Sequence, residues 1–282
     1  MVLSPPVEPM LGQARETLPP LAPGRMAAQP KFDGFRALLY TPLHAGDPVL
    51  LQSRRGALVQ DRFPDLTAAA RSLPNGLALD GEPAVLDPHG QFSFTALQRR
   101  ATAGRNARAL AAEMPAHFIV FDVLQSEGQE LVDEPFARRR EVLEALFASY
   151  QREPPWTLCP STTDPAVAGE WLYEWTDVPG AEGVVLKSLT GRYQPGVRGW
   201  TKIRRRNSTE ALVGGVAGSL RHHQVPLLDR YDATGRLRLV GNTVPLKSGP
   251  ARDLGPPHLT GGTDDACGAT RNFCYLMSGM PA

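Results

Sequence analysis

A lysine followed by an acid, a glycine and an arginine, Lys31-Phe32-Asp33-Gly34-Phe35-Arg36, is the first place where residue types and spacing in this chain could do chemistry. An isolated lysine is normally a solvated surface group. In a pocket beside Arg36 and a bound metal its ammonium form is disfavoured, which leaves a fraction of neutral amine able to attack phosphorus. Gly34 permits close approach of the backbone to a ligand, and Asp33 can orient the amine or handle its proton. Further on, Lys202 and Arg204 alternate about Ile203, so a strand there carries both on one face. Lys202, Arg204, Arg205 and Arg206 form one basic cluster, and Arg99, Arg100, Arg105 and Arg108 another. Each could follow a phosphate backbone without reading bases. Arg138 to Arg140 begin a helix with acids nearby and read as a solvated face. His222-His223 lacks the acidic and cysteine partners of a metal site.

The elements that must position these residues follow from apolar spacing. Short apolar or alternating runs at Phe35 to Tyr40, Val49 to Gln52, Leu77 to Leu86, Phe118 to Leu124 and Gly183 to Ser188 predict strands, the later ones buried on both faces. Helices are predicted after Asp61 (Phe63, Leu66, Ala70, Leu73), after Asp133 (Phe136, Leu143, Leu146, Phe147, Tyr150) and from Asp164-Pro165 (Val167, Ala168, Trp171, Leu172, Trp175). Residues 1–25 are Pro-rich and read as an extended lead-in draped over a domain. Without regular strand-helix alternation the expected class is α+β. After Arg206 the pieces Ala211 to Val216, Leu227 to Tyr231 and Leu237 to Val240 suggest a small β domain, and the stretch from Gly249 onward has no clear period. The chain has 282 residues, 30 Lys plus Arg against 29 Asp plus Glu, and 42% hydrophobic residues, enough to fold as two unequal domains. Three cysteines without a C-x-x-C pair favour neither a disulfide framework nor a thiolate zinc site. No run of 18 apolar residues and no signal-peptide pattern occurs, so the chain reads as soluble and cytoplasmic. A net charge of +1 points to no partner by itself.

The ordered segments resemble the covalent nucleotidyltransferases, specifically the ATP-dependent DNA ligases, and within them the compact ligase modules of bacterial end-joining systems. The resemblance runs from about Pro6 to about Leu246. It rests on Lys31 to Arg36, Ser53-Arg54-Arg55-Gly56, Leu79-Asp80-Gly81-Glu82, Phe118 to Leu124, Glu182 to Lys187 and Trp200 to Arg204. It implies an adenylation domain of mixed antiparallel sheets with flanking helices over residues 1–206, a partial OB-fold domain over 207–248 and an unassigned tail over 249–282. Lys31 would be the nucleophile, Glu82 would hold the ribose or a metal, and Phe121 would stack on adenine. Glu182 would be the second metal-associated carboxylate, Arg36 would grip AMP, Arg54 the 5′-phosphate, and Lys202 and Arg204 the transferred phosphate. ATP and Mg²⁺, with Mn²⁺ as a substitute, are the implied cofactors. The implied partners are nicked or broken duplex DNA and end-joining accessory proteins, for a monomer near the nucleoid with no membrane. An RNA ligase or capping-type nucleotidyltransferase would use the same lysine, and a catalytically weak nick-binding remnant is the reading from another class.

Two departures qualify the resemblance. Gln29 stands where the family commonly carries Glu to accept from the adenine amino group; its carbonyl oxygen can still accept. Nothing after Gly249 resembles the later strands of the OB-fold domain or the basic motif that closes over the ATP tail, so a shortened or altered terminus is expected. Its consequence would be slow self-adenylylation, with sealing of a pre-adenylated nick retained.

Overall fold

A computed structural model describes residues 2–21, 24–149, 154–175, 180–204, 211–219, 222–245, 259–261 and 274–277. Arg205 and Arg206 of the first basic cluster, Tyr150 of the predicted helical stripe, and most of the tail lie outside the described residues. The chain divides into two compact units, Met1–Arg206 and Asn207–Ala282.

The first unit is built on two sheets. One has the order β1-β10-β9-β2, with β1 Leu11–Arg15, β2 Met26–Phe32, β9 Ala181–Ser188 and β10 Arg198–Arg204. The other has the order β4-β3-β5-β6-β7, with β3 Ala37–Tyr40, β4 Leu50–Ser53, β5 Ala78–Val85, β6 Ala116–Ser126 and β7 Gln129–Glu130. In addition β8, Trp156–Leu158, runs parallel to β6. Strand periodicity divides each sheet into two faces. Leu39, Leu51, Leu79, Val120 and Val123 pack outward against Leu66 of α1 (Pro64–Ala69), Leu97 of α2 (Phe94–Ala101) and Leu143 and Phe147 of α4 (Phe136–Ser149). On the first sheet, Ala28, Val184, Leu186 and Ile203 meet Ala168, Trp171 and Leu172 of α5 (Pro165–Tyr173). The other faces look at each other through Leu38, Tyr40, Ala78, Leu124, Tyr193 and Trp200. The arrangement is therefore mixed sheets with few helices, as the class α+β requires.

Several predicted boundaries shift for identifiable reasons. Lys31 lies inside β2, a strand that the predicted runs from Phe35 onward do not include. The lead-in segment contributes an element of its own: β1 pairs parallel with β10, from Leu11↔Arg198 to Arg15↔Ile203. Its side chains are mostly exposed, so backbone bonds rather than an apolar stripe hold it. Asp61 does not cap α1; it sits in a 3₁₀ turn, Gln60–Arg62, and the α-helix starts at Pro64, whose fixed φ suits the first helical position. Asp164 does cap α5, its Oδ1 accepting from Ala166 N at 2.8 Å. Helix α2, capped by Ser93, carries Arg99 and Arg100 of the second basic cluster, a 3₁₀ turn (Gly104–Asn106) carries Arg105, and α3 (Ala107–Glu113) carries Arg108.

Two arginines predicted at the surface are interior. Arg100 is fully buried and makes two bonds to Asp65, at 3.1 and 2.7 Å, so it leaves the proposed phosphate-following cluster. Arg139 is likewise buried against Asp122, at 2.8 and 3.0 Å, while its neighbours Arg138 and Arg140 pair with Glu141 and Glu144 on the helix surface.

The second unit holds an antiparallel sheet of order β13-β12-β11-β15-β14, with β11 Leu212–Ser219, β12 His222–Tyr231, β13 Leu237–Asn242, β14 Leu259–Gly261 and β15 Cys274–Met277. The last two strands come from the stretch that carries no period in the sequence; β15 adds to β11 and β14 to β15 by backbone bonding. Among the described residues no helix is long and apolar enough to cross a membrane.

Candidate active site

Three adjacent strands set out the floor of the site in register. Lys31 on β2 is opposite Gly183 on β9, which is opposite Arg204 on β10; two residues along, Gln29 is opposite Val185, which is opposite Lys202. All four polar side chains therefore project from one face. Gly183 is what brings the outer pair together. It has φ +147, and a Cβ there would lie 2.0 Å from the Ile203 carbonyl oxygen. With no side chain between them, Lys31 Nζ and Arg204 Nη2 reach the same carboxylate, Glu182 Oε2, at 2.6 and 3.0 Å.

The facing sheet supplies the opposite wall, and the two enclose a cleft of about 720 Å³. Gln29, Lys31, Asp33, Arg36, Arg54, Glu82, Phe121, Lys187, Lys202 and Arg204 all line it. The structure thus gathers Lys31, Phe121 and the phosphate cations Arg54, Lys202 and Arg204, with Glu182 joined to the group through Lys31, whereas Arg99, Arg105 and Arg108 do not line the cleft. Arg54 is exposed on the turn after β4, its N–H donating to the Arg36 carbonyl at 3.1 Å.

Charge in the cleft is ordered by burial. Glu82 is half-buried, with its Oε2 shielded from solvent; burial pushes its carboxyl up to about 7, and that oxygen has no hydrogen-bond partner among the described residues. Gly34 makes room for that oxygen, since a Cβ there would lie 3.0 Å from it. The close approach Gly34 permits is therefore to Glu82. Asp33 is raised by burial and by its hydrogen bond to Glu182, whereas Glu182 is lowered, its burial being outweighed only by the bond and charge of Lys31 together with the Asp33 bond and the charge of Arg204. Burial lowers Lys202, helped by the positive charges of Arg204, Lys31, Arg54 and Arg198. The orphaned Glu82 oxygen and the partly exposed Glu182 are hard oxygen donors of the kind Mg²⁺ takes. Among the described residues no three His, Cys, Asp or Glu side chains form a protein-only metal cage.

Two expectations change. Lys31 does not share its surroundings with a free Arg36; its amine donates to Glu182 and to the Phe32 carbonyl at 3.0 Å. Arg36 is committed to the protein. Its Nε and Nη2 bind Asp80 at 2.9 and 2.6 Å, Nη2 also meets Tyr193 Oη at 3.2 Å, and Nη1 donates to the Met10 carbonyl. Its guanidinium lies 4.7 Å from the Trp200 ring centroid and 5.4 Å from that of Phe121. Arg36 therefore braces the aromatic wall and has little left for gripping AMP. Sequence reasoning missed Asp80, Tyr193 and Lys187. For Lys187 a signal existed, because it closes an otherwise apolar strand run, Gly183-Val184-Val185-Leu186.

The model of the family described as ATP dependent DNA ligase domain matches residues 9–204. The chain belongs to that family. DNA ligase C2 of Mycolicibacterium smegmatis is 36% identical over 248 residues, which are 84% of this chain and 65% of that ligase. DNA ligase C of Mycobacterium tuberculosis is 34% identical over 250 residues, 84% of this chain and 66% of that ligase. The chain thus spans about two thirds of the length of these curated relatives. A solved mycobacterial DNA ligase D complexed with ATP and MES superposes with a TM-score of 0.60 at 25% identity, covering 96% of this chain and 85% of that one. The matched segment, residues 9–204, contains every residue that lines the cleft.

Proposed function

We propose that this chain is an ATP-dependent DNA ligase that joins 3′-hydroxyl and 5′-phosphate ends, acting in DNA repair by end joining. The observation that carries the reading is the set in register across β2, β9 and β10: a lysine amine between a carboxylate and two cations, at the floor of a cleft large enough for a nucleotide.

In this reading Lys31 Nζ attacks the α-phosphorus of ATP. An N–P bond forms, the bond to the bridging oxygen breaks, and pyrophosphate leaves with that electron pair. Glu182, already 2.6 Å from the amine, and Asp33, bonded to Glu182, take up the ammonium proton. Lys202 and Arg204 offset charge building on the phosphoryl oxygens. An oxygen of the DNA 5′-phosphate, held by Arg54, then displaces Lys31 from phosphorus to give DNA-adenylate. The 3′-hydroxyl next displaces AMP and closes the strand. Phe121 stacks on the purine, and Gln29 meets its edge. Glu82 and Glu182 would hold Mg²⁺, with Mn²⁺ as a substitute; bound there, the ion supplies charge neutralisation at the phosphate and competes with Lys31 for Glu182.

We read the first unit as the adenylation domain and the sheet of the second as an OB-type module, in a cytoplasmic, nucleoid-associated monomer served by end-joining accessory proteins. Incubation with α-labelled ATP and Mg²⁺ tests the chemistry. Wild type takes up covalent label and Lys31→Ala does not. An unlabelled wild type that still binds nicked DNA would leave only the binding-remnant reading. Comparing self-adenylylation with sealing of a pre-adenylated nick in one preparation separates the two half-reactions.

A further inference from the structure

Phe121 stands out of the ladder between β5 and β6. Asp80 pairs with Asp122 and Gly81 with Val120, so Phe121 is the extra residue of a β-bulge. Its carbonyl accepts from two side chains, Gln29 Nε2 at 3.2 Å and Lys187 Nζ at 3.1 Å. Lys187 also lies 4.8 Å from the centroid of the Phe121 ring and 4.1 Å from that of Trp200, with Asp122 at 3.5 Å as its counter-ion. One buried lysine thus holds the bulge by its backbone and its ring together.

Gln29 is fixed by the same carbonyl. Only the amino end of its amide can donate to Phe121, which leaves Oε1 as the end available to the cleft. An acceptor there suits a purine carrying a 6-amino donor. It repels a 6-oxo purine, whose oxygen would face Oε1 lone pair to lone pair. Rotating the amide to accommodate that purine would set Oε1 against the Phe121 carbonyl instead.

We propose that Lys187 is the positioning residue for purine selectivity: by anchoring the Phe121 bulge it locks the Gln29 amide in the orientation that accepts a 6-amino and refuses a 6-oxo purine. This inference rests on the binding half of the reading above, that the cleft takes a purine nucleotide.

The test compares ATP with ITP, which differ in the base at position 6. Rates of covalent labelling are measured with each, and equilibrium binding with their non-transferable α,β-methylene analogues. Lys187→Met keeps length and apolar packing while removing the donor, and it leaves Asp122 paired with Arg139. Wild type is expected to prefer ATP by on the order of 100-fold. Lys187→Met and Gln29→Leu should each bring the ratio within roughly fivefold, and the double variant should lose no more than either single one. A wild-type ratio retained in Lys187→Met overturns the inference, whatever its melting temperature, as does a double variant whose loss is the sum of the two. A wild type labelled equally by ATP and ITP overturns it while leaving the nucleotide-transfer reading intact. If wild type takes no label but its analogue binding follows the expected pattern, the transfer reading fails and the positioning role stands. Binding of neither analogue refutes both.

Discussion

Replacing Asp80 by Asn should unsettle the first unit more than any change at the cleft mouth. The Asp80 carboxylate is completely buried and accepts three bonds, from Arg36 Nε at 2.9 Å, Arg36 Nη2 at 2.6 Å and Tyr193 Oη at 2.8 Å. Asn keeps the shape and one acceptor but removes the charge and turns an amino group toward donors. Arg36, with only 13% of its side chain exposed, then has no counter-ion. Breaking one side of a buried pair costs about 3 to 5 kcal/mol. For a domain of this size each kcal/mol is about 2 to 4 °C, so the melting temperature should fall by about 6 to 20 °C. Because Arg36 lies over Trp200 and Phe121, the KM for ATP in self-adenylylation should rise as well, although Asp80 makes no bond to Lys31. Urea titration followed by Trp fluorescence gives the stability. The double change Asp80→Asn with Arg36→Met removes the stranded charge and should recover part of the loss. A single-variant cost below about 1 kcal/mol, or a double variant as unstable as the sum, would refute the assignment of Arg36 to Asp80.

Glu82 gives a pH test. Its carboxyl sits at about 7 in the folded chain against an ordinary 4.5, so between those values the folded state holds more protons than the unfolded state, and stability should fall as pH rises through that window and level off above it. Denaturation of the metal-free protein at pH 5 and pH 8 should show this fall, and Glu82→Gln should abolish it; an unchanged slope in the variant would remove the cause. Gly183→Ala drives a Cβ to 2.0 Å from the Ile203 oxygen at φ +147, and should cost about 3 kcal/mol or more while abolishing covalent labelling. Full activity in that variant would contradict the register described for Lys31 and Arg204. Affinity for nicked duplex should fall steeply with salt, each phosphate neutralised adding about 0.9 to the slope of log K against log salt. Arg54→Ala should lessen that slope by about one phosphate, and an identical slope would place Arg54 away from the DNA.

The candidate site was legible in the sequence because its residues lie in short runs whose types are themselves chemical. Lys31, Glu82, Phe121, Glu182, Lys202 and Arg204 could be named one by one, and the structure gathers them. Their internal partners could not. Arg138 with Glu141 and Arg140 with Glu144 are three and four residues apart on one helix, a spacing that sequence displays directly. Arg36 with Asp80, Arg100 with Asp65 and Arg139 with Asp122 are 44, 35 and 17 residues apart and meet only through tertiary packing. An arginine of the second kind is indistinguishable from a solvated one until its acid is located. The same limit hid β1, which has no apolar stripe because β10 supplies its bonds, and the bulge at Phe121, which exists only relative to the register of β5.

The hidden pairs also explain how an open cleft and a closed interior coexist between the same two sheets. Asp80 and Asp122 are directly opposed across β5 and β6 and both are buried, an arrangement that repels unless each charge is matched. Arg36 matches the first; Arg139 and Lys187 match the second and hold Asp122 below the usual carboxylate range despite its burial. Arg36 and Lys187 thereby have their charge matched in the interior while the Arg36 guanidinium and the Lys187 ammonium lie over the faces of Phe121 and Trp200. The remaining cations of the cleft are Arg54 and Lys202, together with Lys31 and Arg204, which share the single carboxylate of Glu182. A chain of net charge +1 can in this way offer a strongly positive cleft to phosphates while the base end of the same cleft stays aromatic and electrically balanced.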